Sequence, residues 1–289
     1  MEASPLRYRL HLVATALLFS TGGAAIKAAT LTGWQVASFR SGVAAVALLA
    51  VLPQARRGWS WRVAPVAAAY AATLILFVLA NRLTTAANAI FLQSTAPLYL
   101  LFLAPWLLRE PIRARDLMCA AVVAGGVVLF FIGAEKGVAT APDPPRGNLI
   151  ALASGLFWAL TMTGLRWLGR EAVPGEAHNP AVAPVALGNV LAFVAALPFA
   201  LPATSLRASD VAVILYLGVV QIGLAYFLLT RAVRHVPAFE ATVVLLLEPV
   251  MNPVWAWLVH RERPGPWALA GGAIILSAAL ANSWVQARR

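Results

Sequence analysis

Two apolar runs constrain this chain most. The first, TTAANAIFLQSTAPLYLLFLAPWLLREPIRAR, runs from Thr84 to Arg115; the second, PAFEATVVLLLEPVMNPVWAWLVHRER, from Pro237 to Arg263. A shift of 152 carries Pro97 onto Pro249, Arg109-Glu110 onto Arg261-Glu262, and Asn88 onto Glu240. The 22 residue steps from Asn88 to Glu110, as helix, cover about 33 Å at about 1.5 Å per step. That is the thickness of a bilayer's hydrocarbon core. Each run therefore reads as one membrane span kinked at its proline, and the repetition predicts a protein built twice over.

Composition agrees. Of 289 residues, 61% are hydrophobic and only 11% charged, with a mean hydropathy of +0.79. A soluble domain carries about 25% charged residues and could not hide this much apolar surface from water. In lipid that surface faces its preferred solvent. The net charge of +11 does not signal nucleic acid, because the basic residues are dispersed in short interhelical clusters without a continuous patch. The single cysteine, Cys119, excludes an internal disulfide and most cysteine-based metal sites. All but two of the basic residues are arginine, a bias that with the alanine content points to a GC-rich bacterial source.

Ten apolar segments follow one another at roughly 11–29, 35–53, 63–82, 86–108, 115–133, 148–168, 183–201, 210–233, 238–260 and 267–285. Short connections rich in Pro and Gly separate them. The first segment has no small-residue cleavage site with a soluble domain behind it, so it reads as a span and not as a signal peptide. The expected architecture is an all-α membrane protein of ten transmembrane helices. It divides into a five-helix repeat at 11–133, a connection at 134–147 and a second five-helix repeat at 148–285. With the N-terminus in the cytoplasm, fourteen basic residues fall on the cytoplasmic side and seven opposite. That bias places both termini inside.

Five helices per half invert the second half relative to the first. A shift of 139 also aligns ATALLFSTGGAAIK, from Ala14, with ASGLFWALTMTGLR, from Ala153; Phe19 meets Trp158 and Lys27 meets Arg166. Inverted repeats around a central cavity are the architecture of alternating-access transporters, whose binding site lies near the midplane.

No enzyme signature is present. The chain lacks G-x-x-x-x-G-K-[ST], H-E-x-x-H and G-x-S-x-G, so neither a cofactor nor a metal is expected. What remains is polarity inside the membrane, which is costly and usually functional. At 100° per residue Asn88, Thr95, Tyr99, Phe102 and Trp106 form one stripe, with Gln93 off it. Glu248, Asn252 and Trp255 share a face, as do Trp158 and Thr161, and Tyr226 pairs with Thr230. Tyr70, Thr73, Phe77 and Asn81 line up likewise. The substrate-binding set read from these faces is Phe19, Asn88, Gln93, Thr95 and Tyr99 from the first half. The second half adds Trp158, Thr161, Tyr226, Glu248 and Asn252. Aromatic walls with a few amide, hydroxyl and carboxyl groups suit an amphipathic zwitterion. For any single Thr or Ser, interhelical hydrogen bonding is the competing role. Glu248 is read as protonated, as paired with Arg40 or a freed backbone amide, or as a proton-coupling group. Arg40 can snorkel outward, and Trp106 and Trp284 suit interfacial belts. Pro97 and Pro249 are the expected hinges.

The chain resembles the drug/metabolite transporter superfamily, specifically the ten-helix exporters with two EamA domains. The residues that carry the resemblance are FRSGVAAVALL (Phe39-Arg40), TTAANAIFLQSTAPLYLLFLAPWLLRE, AYFLLTRAVRHVPAFEATVVLLLEPVMNPVWAWLVHRE and Gly271-Gly272. Within that family it is most similar to bacterial aromatic amino-acid exporters. The family's Gly-Glu after the ninth helix is Arg261-Glu262 here. The resemblance implies export of amino acids and related metabolites from the cytoplasm, without ATP, across the bacterial inner membrane. The alternative is a nucleotide-sugar or drug carrier of the same superfamily, and a membrane-embedded enzyme is the more remote reading. The expected partners are a small-molecule substrate and the bilayer, with no nucleic acid; a monomer suffices, though the oligomeric state is open.

Overall fold

The computed structural model describes residues 5–108, 112–132, 137–170, 182–204, 206–233 and 235–287. Among them the chain is helical, with one isolated β-bridge between Val138 and Ala141. The helices are α1 (Pro5–Ser20), α2 (Gly22–Ala28), α3 (Gly33–Val51), α4 (Val63–Leu83), α5 (Ala86–Gln93), α6 (Ala96–Leu108) and α7 (Ala114–Ile132) in the first half. The second half holds α8 (Pro144–Arg170), α9 (Val182–Ala200), α10 (Ala208–Leu215), α11 (Ala225–Ala232), α12 (Ala238–Leu245), α13 (Leu247–His260) and α14 (Pro266–Ala287). A π-helical stretch, Tyr216–Leu224, joins α10 to α11. All ten apolar segments are thus helical. Nine are long and apolar enough to cross a bilayer, while the tenth, Pro266–Asn282, is apolar but shorter.

Four of the segments are interrupted, at Thr21, Ser94-Thr95, the π stretch and Leu246. Two interruptions have proline as their cause. Pro97 is the second residue of α6 and Pro249 the third of α13, and neither has an N–H for the carbonyl four residues back. The backbone adjusts with three-residue bonds at the first break, Leu92 O accepting from Thr95 N and Thr95 O from Leu98 N. Starts are capped by the residues expected of them. Thr32 and Gln35 form a reciprocal capping box on α3, and Thr85 Oγ1 accepts from Asn88 N at the head of α5.

The two halves interleave. The third segment (α4) packs on the sixth (α8) and seventh (α9); the second (α3) packs on α9 and the π stretch. The first (α1) packs on the eighth and ninth through α11 and α13, and the fourth (α5, α6) on α8. The fifth (α7) pairs with the tenth (α14), where glycines let backbones meet: a Cβ at Gly271 would stand 2.6 Å from Gly126 O. Small-residue contacts of this kind are how helices associate in lipid, where burial of apolar side chains brings no gain. Outward, large apolar side chains are bare, among them Phe102, Ile132, Phe199 and Val259. Exposed Trp61, Trp106, Trp267 and Trp284 lie near segment ends, the place of an interfacial belt.

Candidate functional site

Mid-depth polarity converges from five segments. Phe19 meets Tyr226 edge-on at 5.2 Å, and Tyr226 meets Tyr70 edge-on at 6.2 Å. Trp158 packs against the same cluster. Edge-to-face pairs orient one ring's positive rim at the next ring's face, so Phe19, Tyr226 and Tyr70 form one connected run of rings. Glu248, half-buried, lies within electrostatic reach of the Tyr70 and Tyr226 hydroxyls, and Arg40 within reach of Tyr70. An apolar cavity of about 140 Å³ leads from Tyr226 past Leu48, Leu229 and Thr230 to Val182 and half-exposed Val233.

Arg40 does not snorkel. Its guanidinium is 2% exposed and donates from Nη2 to the carbonyl of Leu74, at the middle of α4, at 3.0 Å. It does not pair with Glu248; among the described residues its Nε has no partner. Arg40 turns inward, and Lys27 faces Glu262.

The Pro97 break is tied to α8. Gln93 Nε2 donates to Ser154 Oγ at 2.8 Å, and Ser154 Oγ donates to Thr73 O at 3.2 Å. Tyr99 donates to Leu152 O at 2.9 Å. The stripe expected from Asn88 to Trp106 is split by this break. Asn88 and Thr95 are buried, whereas Phe102 and Trp106 are 69% and 79% exposed. The hydroxyls of Thr95 and Thr161 bond carbonyls of their own helices, Leu92 O and Phe157 O, so their polarity is spent locally.

A second polar layer lies at the Lys27 end of the bundle. Lys27 donates to Thr84 O at 2.8 Å and to Thr140 O, and its Nζ stands 3.0 Å from Glu262 Oε2. Glu262 Oε1 accepts from Ala86 N. Asn148 is a hub beneath them. Its Oδ1 accepts from Thr84 Oγ1 at 2.7 Å and from Asn88 Nδ2 at 3.2 Å, and its Nδ2 donates to Phe130 O. Asn88 thus belongs to this layer and not to the run of rings. Around it Arg82 Nη1 donates to Ala29 O, Asp210 accepts from Thr30 N and Oγ1, and His260 Nε2 bonds Ala24 O. Glu262 is positioned by Arg261, which takes a left-handed conformation (φ 56°) as its N–H bonds Trp257 O. That is the helix-ending geometry glycine adopts without strain, and it explains why glycine is usual there in the family resembled.

A third group joins the first, eighth and ninth segments. Trp255 Nε1 donates to Ser20 Oγ at 2.9 Å, Thr21 Oγ1 and Tyr216 Oη are 2.8 Å apart, and Gln221 Nε2 donates to Phe19 O. Asn252 is fully buried against Gly23, with neither amide atom partnered among the described residues. At the opposite end, Arg9 and Glu240 form an exposed ion pair, and Tyr8 stacks on His235 at 3.8 Å.

Sequence reasoning passed over Asn148, Gln221 and Ser20. The signal for Ser20 was Ser-Thr-Gly-Gly at 20–23, a run that invites a helix break. Gln221 sits in the π stretch, which left no mark in the sequence. No group of His, Cys, Asp and Glu that could hold a metal exists among the described residues. Arg109-Glu110 and residues 134–136 of the 134–147 connection lie outside the described residues.

The model of the EamA-like transporter family matches residues 8–132 and again 145–284. A solved structure described as "Crystal structure of protein" has the same fold, with a TM-score of 0.61 at 19% identity, covering 98% of each chain. No curated protein matches. With nearly the whole chain accounted for by the family and its helices suited to a bilayer, the chain belongs to the EamA-like transporter family and is a multi-pass membrane transporter of the drug/metabolite superfamily.

Proposed function

We propose that this transporter exports amino acids and related metabolites, aromatic amino acids preferentially, by alternating access across a bacterial inner membrane. One observation carries the reading. Phe19, Tyr226 and Tyr70 form a run of edge-on rings, Trp158 packs on the hydrophobic cluster that holds Tyr70, and Glu248 lies within electrostatic reach of both tyrosines. An amphipathic zwitterion sets its ring on such a run of rings and its ammonium toward the carboxylate. Gln93 stands at the break before Pro97, Tyr99 and Asn252 lie in the helices just past the two proline breaks, and Thr95 and Thr161 bond carbonyls in the helical turns that precede them.

The helix contacts support two five-helix repeats. Exchanging every segment with the one five places later turns the third–sixth contact into eighth–first, the fourth–sixth into ninth–first, and the third–seventh into eighth–second, all of which occur. The second–seventh and fifth–tenth contacts map onto themselves. The proline breaks in the fourth and ninth segments correspond as well, which suits Pro97 and Pro249 as hinges. With both termini cytoplasmic, the cavity by Tyr226 opens to the cytoplasm and the Lys27 layer faces outside, an inward-facing state. Uptake of labelled tryptophan into proteoliposomes, saturable and competed by other amino acids, tests the proposal; absence of uptake by folded protein overturns it.

A further inference from the structure

Lys27 and Glu262 are the most deeply buried ion pair described, with side chains 4% and 3% exposed. They come from opposite halves of the chain. Lys27 ends the first segment and Glu262 follows the ninth, while the groups they also hold, Thr84 O, Ala86 N and Thr140 O, belong to the third–fourth turn and the connection between halves. One carboxylate and one ammonium thus tie four chain segments together. At the other end the ion pair Arg9–Glu240 is exposed, its side chains 53% and 32% accessible, and such a pair contributes little.

The chemistry of this pair suits repeated opening. A buried ion pair gains little net free energy, because desolvation offsets attraction, yet losing one member is severe. Its two charges can part only into water. The seam is therefore stable closed and dry, or open and wet, and costly between. Lys27 Nζ donates to the Thr84 and Thr140 carbonyls, and its third hydrogen is left for Glu262 Oε2, 3.0 Å away across the seam. The sequence echoes carry Lys27 onto Arg166 and Glu262 onto Glu110; Glu110 lies outside the described residues.

We propose that Lys27 and Glu262 form the outer gate of this transporter, and that separating them admits water and substrate from the outer face. The proposal rests on the alternating-access reading above.

Accessibility of two introduced cysteines tests it without any transported substrate. Ala86→Cys, fully buried beneath the pair, reports the outer face; Thr230→Cys, on the cavity wall, reports the inner face. Each is placed in a Cys119→Ser background in proteoliposomes and treated with a charged, impermeant methanethiosulfonate from its own side. Glu262→Gln is expected to speed labelling at Ala86→Cys about tenfold, the response to a modest shift in population, and to slow it at Thr230→Cys. Lys27→Gln should act the same way, and the charge-reversed double variant Lys27→Glu/Glu262→Lys should return both rates toward the parent's. Opposite shifts at the two positions support a gate. Unchanged rates, or rates rising together as in general loosening, overturn it. Failure of tryptophan uptake with opposite labelling shifts would instead overturn the substrate reading and leave the gate standing.

Discussion

Gly155 lies so close to the fourth segment that a Cβ on it would stand 3.0 Å from the carbonyl oxygen of Gln93. Gln93 O is the acceptor that Pro97, lacking an N–H, leaves without its helical partner. The same Cβ would stand 3.0 Å from Leu92 O and Thr95 Oγ1. The bend in one half is therefore seated on a glycine of the other.

Gly155→Ala is accordingly expected to destabilise. In a helix this change would ordinarily gain about 1 kcal/mol, but crowding two backbone oxygens costs about 1–3 kcal/mol. Thermal unfolding in detergent should show a lower midpoint, and Gly155→Leu a much lower one. A raised midpoint for Gly155→Ala would mean that the seat is loose.

Arg261→Gly should do the reverse. Arg261 holds φ 56°, and relief of a left-handed non-glycine residue is worth about 1 kcal/mol. The unfolding midpoint should rise, with the Glu262 position unchanged; a fall would show that the Arg261 side chain contributes more than its backbone strain.

Asn148→Ala removes the acceptor of Thr84 Oγ1 and Asn88 Nδ2 and the donor to Phe130 O. Each buried group left unsatisfied costs about 1–3 kcal/mol, so severe loss of stability is expected. Asn148→Asp, which keeps the acceptor, should be milder in the same unfolding assay.

Trp158→Ala is expected to alter selectivity. An aromatic contact contributes about 0.5–1.5 kcal/mol beyond area burial, so apparent affinity for tryptophan should drop about tenfold and that for threonine far less. Competition of labelled uptake by each amino acid measures the ratio, and equal losses for both would count against Trp158 as part of a ring subsite.

The apolar helical segments, nine of them long enough to span among the described residues, were legible because apolar length alone defines a span in lipid, and the breaks near Pro97 and Pro249 because proline cannot donate. The breaks at Thr21 and at Tyr216–Leu224 were not, since no proline marks either and packing between segments decides them. The Asn88-to-Trp106 stripe failed for a related reason: a straight-helix projection does not survive the Ser94-Thr95 interruption, which leaves Trp106 facing outward while Asn88 turns to Asn148. Arg40 was read as snorkelling because its depth suggested an exit; the inward route to Leu74 O depends on a neighbouring helix that sequence does not place. Phe19 and Tyr226 were legible as aromatic candidates, yet their meeting is a product of the first and eighth segments packing together.

The most direct test of the central claim is uptake of labelled tryptophan and threonine by the purified chain in proteoliposomes, with and without a pH gradient. The account predicts saturable uptake of both, tryptophan with the higher apparent affinity, each competed by other amino acids. No uptake of either by protein shown to be folded would contradict it.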